Sequence, residues 1–165
     1  MIGRRIERLQ FLSSSLAAFL RGAGAFDQAG LEWLLELGNS SITYRSRYLA
    51  VAQLIPVLDL LLLDEQNPHA VLFQLKLVTR TLKRLNEDFD APRESGLALL
   101  VERLARFDLG CLEDSLFGDA SVRAAIDGLA DLLQAIADAS GQVSDRLALR
   151  HFAHVDDVSQ RTVSV

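Results

Sequence analysis

A chain of 165 residues, half of them hydrophobic and 24% charged, is long enough to form one domain around one core. Its net charge of −5 and pI near 5.1 argue against nonspecific nucleic-acid binding, which relies on many Lys and Arg neutralising phosphates. A mean hydropathy of +0.19 is high for this charge content and implies either a large core or, the reading favoured here, apolar surface covered by something outside the chain.

Ile2 to Leu20 read as a first helix, because Ile2, Ile6, Leu9, Leu12, Leu16, Phe19 and Leu20 recur at threes and fours in one stripe. Arg5 projects into that stripe. The same stretch imitates a twin-arginine export signal, with Arg4-Arg5, an apolar run and Gly22-Ala23-Gly24-Ala25. Glu7, the serines Ser13, Ser14 and Ser15, and Arg21 all count against that signal.

Asp27 marks an N-cap for a second helix that carries Leu31, Leu34 and Leu35 and ends at Gly38, with Trp33 sealing its flank. Asn39, Ser40 or Ser41 caps a third helix holding Tyr44, Arg45, Arg47, Tyr48 and Leu49. Pro56 suits the first turn of a fourth, built on Leu58 to Leu63. The apolar stretch Leu54 to Leu63 is interrupted by Asp59 and falls short of the ~20 residues of a membrane span. Asp64 to Asn67 is a turn. Pro68 then opens a long central helix, apolar on two faces, with His69 exposed in its first turn and Gln74 at the edge of its stripe bonding a backbone carbonyl or a neighbouring hydroxyl.

Glu87 to Pro92 forms a polar hinge, and Pro92 starts a helix through Leu97, Leu100, Val101, Leu104 and Phe107. Gly110 and Gly118 bracket a linker, where the lone Cys111 reads as a small buried hydrophobe. Asp119 caps a further helix through Val122, Ile126, Leu129, Leu133 and Ile136, which Ser140-Gly141 breaks. A last helix holds Val143, Leu147, Leu149 and Phe152, and the tail 156–165 needs no order. The expected architecture is all-α, a single domain over 1–155 with about seven to eight helices and no sheet.

Arginines and an aspartate placed among apolar residues need partners, since an unpaired buried charge costs several kcal/mol. Tyr44, Arg47 and Tyr48 share a helix face, and Arg45 projects about a quarter turn away, half buried. The pattern predicts an ion network joining Arg5 or Arg45 to Asp59. Such a network either fixes helix register or holds a carboxylate or phosphate ligand bidentately. Glu7 is conceivable as a general base, but no nearby His, Ser or Cys supplies a second catalytic role. His151 and His154, with Asp157, have spacing that weakly suits a metal; a helix end with dipole-compensating histidines explains them better. No P-loop, dinucleotide glycine pattern or Ser/His/Asp arrangement is present, so no cofactor is implied.

Gly3-Arg4-Arg5-Ile6-Glu7-Arg8 resembles the Glu-Arg signature of the bacterial alpha-E domain, and Asn39 to Leu49, Pro56 to Pro68 and Leu72 to Leu82 are similar to its later helices. Leu149-Arg150-His151-Phe152-Ala153-His154 is similar to that family's ending, which is more often Tyr-Phe-Ser-His. The resemblance implies members about twice this length, of which this chain looks like a carboxy-terminal half. It also implies a location in the bacterial cytoplasm and a setting beside circularly permuted ATP-grasp ligases. Glu7, Arg8, Tyr44, Arg45, Arg47, Tyr48, Asp64 and Asn67 match its motifs. Two readings follow. One is a non-catalytic helical interaction module that docks with an ATP-grasp type ligase, a second alpha-E half or another copy of itself. The other is an enzyme or ligand-binding subunit in which Arg45 and Arg47 clamp an anion that Tyr44 or Tyr48 orients.

Overall fold

The computed structural model describes residues 2–22, 26–49, 51–89, 95–112 and 120–161, with the side chains of 86–89, 95 and 150–161 left aside. Among the described residues every regular element is helical: α1 (Gly3–Arg21), α2 (Gln28–Leu37), α3 (Ser41–Tyr48), α4 (Leu54–Leu58), α5 (Val71–Phe89), α6 (Ser95–Ala105) and α7 (Ala120–Arg161). A π-helical turn, Asp59–Leu63, continues α4, and a 3-10 turn, Leu109–Leu112, follows α6. The all-α expectation holds. No described helix is long and apolar enough to cross a membrane.

The stripe read from the first helix is the one that buries. Ile6, Leu9, Leu16 and Leu20 are fully enclosed, each contributing about 1.5–3 kcal/mol relative to exposure. α1 packs most extensively along α7, antiparallel to it: Arg21 reaches Asp131 at 2.7 Å, while Gln10 lies beside Gly141. The middle of the core is the α4–π segment, where Val57, Leu58, Leu60, Leu61 and Leu62 are all 0% exposed. Three consecutive leucines cannot all face inward from an ordinary α-helix surface. The wider π turn, closed by Asp64 N–H donating to the Asp59 carbonyl at 3.0 Å, makes room for them and leaves Asp59 outside.

α2 begins and ends as its sequence dictates, with Asp27 accepting from Gly30 N–H at 2.8 Å and Gly38 as the C-cap. Gly38 sits hard against Leu61, where a larger residue has no room. Trp33 flanks the core, half exposed and stacked on Phe19 at 6.5 Å. Other expectations fail for physical reasons. Pro68 lies in a turn before α5, not in its first turn. Ser140-Gly141 does not break the chain: the Ser140 hydroxyl donates to the Ile136 carbonyl inside α7, and Gly141 continues the same helix facing the Gln10 side chain of α1. The helix therefore continues through position 155 and into the expected tail, to Arg161. Cys111 is exposed, its thiol donating to the Asp108 carbonyl at 2.9 Å. Pro92, Gly118 and Asp119 fall outside the described residues.

Candidate functional site

α3 is short, and its residues are held by contacts to distant parts of the chain. Ser40 stands at its N-cap without capping it. Its hydroxyl instead donates to the Gly38 carbonyl at 3.0 Å and accepts from Asn67 Nδ2 at 3.1 Å. Asn67, 2% exposed, also donates to the Leu60 carbonyl at 2.9 Å and accepts from His69 N–H at 3.0 Å. One buried amide thus ties the α2–α3 junction, the π turn and the entry to α5 together.

A second tie runs beside it. Arg47 ion-pairs with Asp64, whose other oxygen accepts from Gln66 N–H at 2.8 Å. Tyr44 is 2% exposed; its hydroxyl accepts from Gln53 N–H at 3.1 Å and donates to the Val51 carbonyl at 3.3 Å, pinning the loop after α3. Tyr48 packs on Tyr44 with ring centroids 4.8 Å apart. Burial, and then the negative charge of Asp59, push the Tyr48 phenol above its ordinary range, with Arg47 opposing. Burial and the neighbouring Asp64 push the Asp59 carboxyl up as well, again against Arg47. Arg47, Tyr48, Asp59 and Asp64 therefore meet at one edge between α3 and the π turn.

The predicted network of Arg5 or Arg45 with Asp59 does not form. All three are exposed, and no described ion pair joins them. Arg45 is hydrated because nothing described covers the Ile42 side of α3; Ile42 is 86% exposed. Arg45 and Arg47 do not form a clamp either, since Arg47 is engaged by Asp64 and Arg45 carries no described polar partner. Sequence reasoning missed Ser40 as a bridge, because an N-cap serine looks the same whether or not it caps.

The Glu-Arg pair on α1 splits between water and cavities. Glu7 is exposed. Arg8 lines a cavity of about 230 Å³ with Phe11, Leu12, Leu37, Gly38, Asn39 and His69, and a second of about 290 Å³ with Arg4, Arg5 and Gln74. His69 is half-buried, not exposed as expected, and burial, followed by the Arg8 charge, holds its imidazole below the usual histidine range. Among the described residues no cluster of His, Cys, Asp and Glu suits a metal ion, and the side chains of His151, His154 and Asp157 lie outside them.

The sequence model of the Alpha-E family, described as a predicted alpha-helical domain with a conserved ER motif, matches residues 1–152. The chain is also similar to an uncharacterised protein of Mycobacterium bovis and to uncharacterised proteins of two Mycobacterium tuberculosis strains. Each is 36% identical over 97 residues, 58% of this chain. That match spans only 10% of each relative's length. No solved structure matches.

Proposed function

Given that the chain belongs to the Alpha-E family, we propose that it is a helical docking module of the bacterial cytoplasm. In this reading the ties through Tyr44, Arg47, Asp64 and Asn67 hold the α3 edge in the form a partner meets. The observation that carries it is Leu49. It caps α3 in the left-handed conformation, φ 48°, ψ 22°, a position that favours Gly or Asn, and it is 91% exposed. A leucine there strains the backbone and leaves its side chain in water, so the isolated fold gains nothing from it. An apolar contact with another polypeptide does.

Ile42, two turns earlier at 86% exposure, and Val51 at 59% extend the apolar edge, and Arg45 stands between Ile42 and Leu49. In the mycobacterial relatives the matched segment lies within a chain about ten times as long as the match, so there it has other polypeptide beside it. The occupant we assign is a second helical unit of the same family, including another copy of this chain. The overall acidic charge of such a copy, −5, offers carboxylates to Arg45.

Sedimentation velocity across micromolar concentrations tests this. Self-association that is lost in the Ile42→Glu, Leu49→Glu double variant, with an unchanged melting curve, is the expected outcome. A wild-type chain that stays monomeric throughout refutes the second-copy assignment; a monomer that co-sediments with an ATP-grasp type ligase moves the docking role to that partner.

A further inference from the structure

Arg45 stands between Ile42 and Leu49, so it decides what the α3 edge can meet. In a two-fold contact each central residue faces its own copy. Pairing α3 with α3 would set one guanidinium against another, and no acidic residue lies between Ile42 and Leu49 to separate them. A different surface of a second copy, apolar and carrying carboxylates, suits the edge better.

Such a surface lies between α6, the 3-10 turn and α7. A groove of about 530 Å³ is walled there by Leu99, Phe107, Ala125 and Leu132, with Gly128 and Cys111 beside them. Leu99 is 57% exposed although it lies on this apolar wall. Gly128 is a second, independent observation. It stands inside α7, where glycine is destabilising relative to alanine, and no described atom lies within 4 Å of where its Cβ would sit. Packing among the described residues does not call for a glycine at that position; close approach by another polypeptide does. Within one copy α3 packs on α2, whereas the groove belongs to α6 and α7.

The charges of the two surfaces match. On the α3 edge Arg45 and Asp59 are exposed and make no described ion pair. At the groove, Asp108 accepts from Gly110 N–H at 2.8 Å with one carboxylate oxygen, and its other oxygen has no described partner. Arg103 makes no described ion pair either, whereas Glu102 and Arg106 already face each other at 3.6 Å. We propose, resting on the docking reading, that the α6–α7 groove of one copy receives the α3 edge of the next. Ile42 and Leu49, two helical turns or about 10 Å apart, fill the groove, Arg45 pairs with Asp108, and Asp59 pairs with Arg103. Because edge and groove are different surfaces, the contact is heterologous and copies join head to tail.

Mixing two half-blocked variants tests the pairing. Ile42→Glu with Leu49→Glu removes the edge and leaves the groove. Gly128→Arg fills the groove with a cation that repels Arg45; it has open space and a better helix former than glycine, so the melting temperature should not fall. Each variant alone is expected to lose self-association, its Kd rising about thirtyfold or more, the size of a hot-spot loss. An equimolar mixture of the two is expected to form a one-to-one heterodimer and nothing larger in sedimentation velocity. Cys111, the only cysteine and exposed in the groove, gives a second readout: its labelling by a maleimide should slow as the wild-type concentration rises and stay constant in the edge variant. Should Gly128→Arg fail to fold, the labelling decides. A Gly128→Arg chain that associates like wild type, a mixture that stays monomeric, or a Cys111 that is unprotected in the associated wild type overturns the groove and leaves the docking reading standing. A wild-type chain that is monomeric at every concentration overturns both.

Discussion

Asn67→Ala tests the idea that the polar motif after the π turn holds the helices together. The substitution removes three hydrogen bonds in one buried place: to the Leu60 carbonyl, to the Ser40 hydroxyl and from His69 N–H. At about 1 kcal/mol net for each bond, the expected loss is about 3 kcal/mol, and more if the Leu60 carbonyl finds no substitute donor. For a chain of this size that corresponds to a fall in Tm of about 6–12 °C. Urea unfolding followed by circular dichroism gives the free energy, and an unchanged m-value shows that only stability moved. Arg45→Met, at an exposed position on the neighbouring helix, serves as the control and should stay within about 0.5 kcal/mol of wild type. Ser40→Ala combined with Asn67→Ala should lose less than the sum of the two, because the pair shares a bond. A loss below about 1 kcal/mol for Asn67→Ala refutes the reasoning.

Leu49→Gly relieves the left-handed backbone and should stabilise the chain by about 1 kcal/mol while weakening self-association, read from melting and sedimentation on the same samples. Gly38→Ala drives a methyl into the buried Leu61 side chain and should destabilise by about 1–3 kcal/mol; Gly141→Ala meets only the movable end of Gln10, 3.1 Å away, and should be neutral or stabilising by chemical denaturation. The folded-state pKa of Asp59 is raised, first by burial and then by Asp64, so its contribution is favourable when protonated and is lost as pH rises through the folded pKa. Asp59→Asn should therefore raise Tm at neutral pH, with the gain fading in acid; its exposure keeps the effect small, and a gain that grows in acid contradicts it. His69 is shifted the other way, first by burial and then by Arg8, so stability present above the ordinary histidine pKa is lost as pH falls through the folded value. Arg8→Gln should move the His69 titration upward by NMR, and an unmoved titration rules out their coupling.

Helix positions were legible because burial imposes a period: the α1 stripe and the Asp27 and Gly38 ends of α2 follow directly from residue type. The charged residues were not, because a helical wheel shows which side a residue faces but not whether anything covers that side. Arg5 and Arg45 interrupt apolar patterns yet face water. Asp59 escapes the core because the turn it begins is not an α turn, and no local signal in Asp-Leu-Leu-Leu-Leu announces that. Ser140-Gly141 carries every mark of a helix end, and packing against α1 overrides it. Arg47, Asp64 and Asn67 stand out through the family resemblance, but their partners, 17 and 27 residues away in sequence for Arg47–Asp64 and Ser40–Asn67, were beyond pattern reading.

The wide turn at Asp59–Leu63 also sets the phase of everything that follows it. Holding one residue more than an α turn, it takes up a leucine that an unbroken α-helix would convert into a rotation of about 100° around the axis. Asp64 meets Arg47 and Asn67 meets Ser40 because that residue is absorbed before them, so both fasteners share a single point of failure.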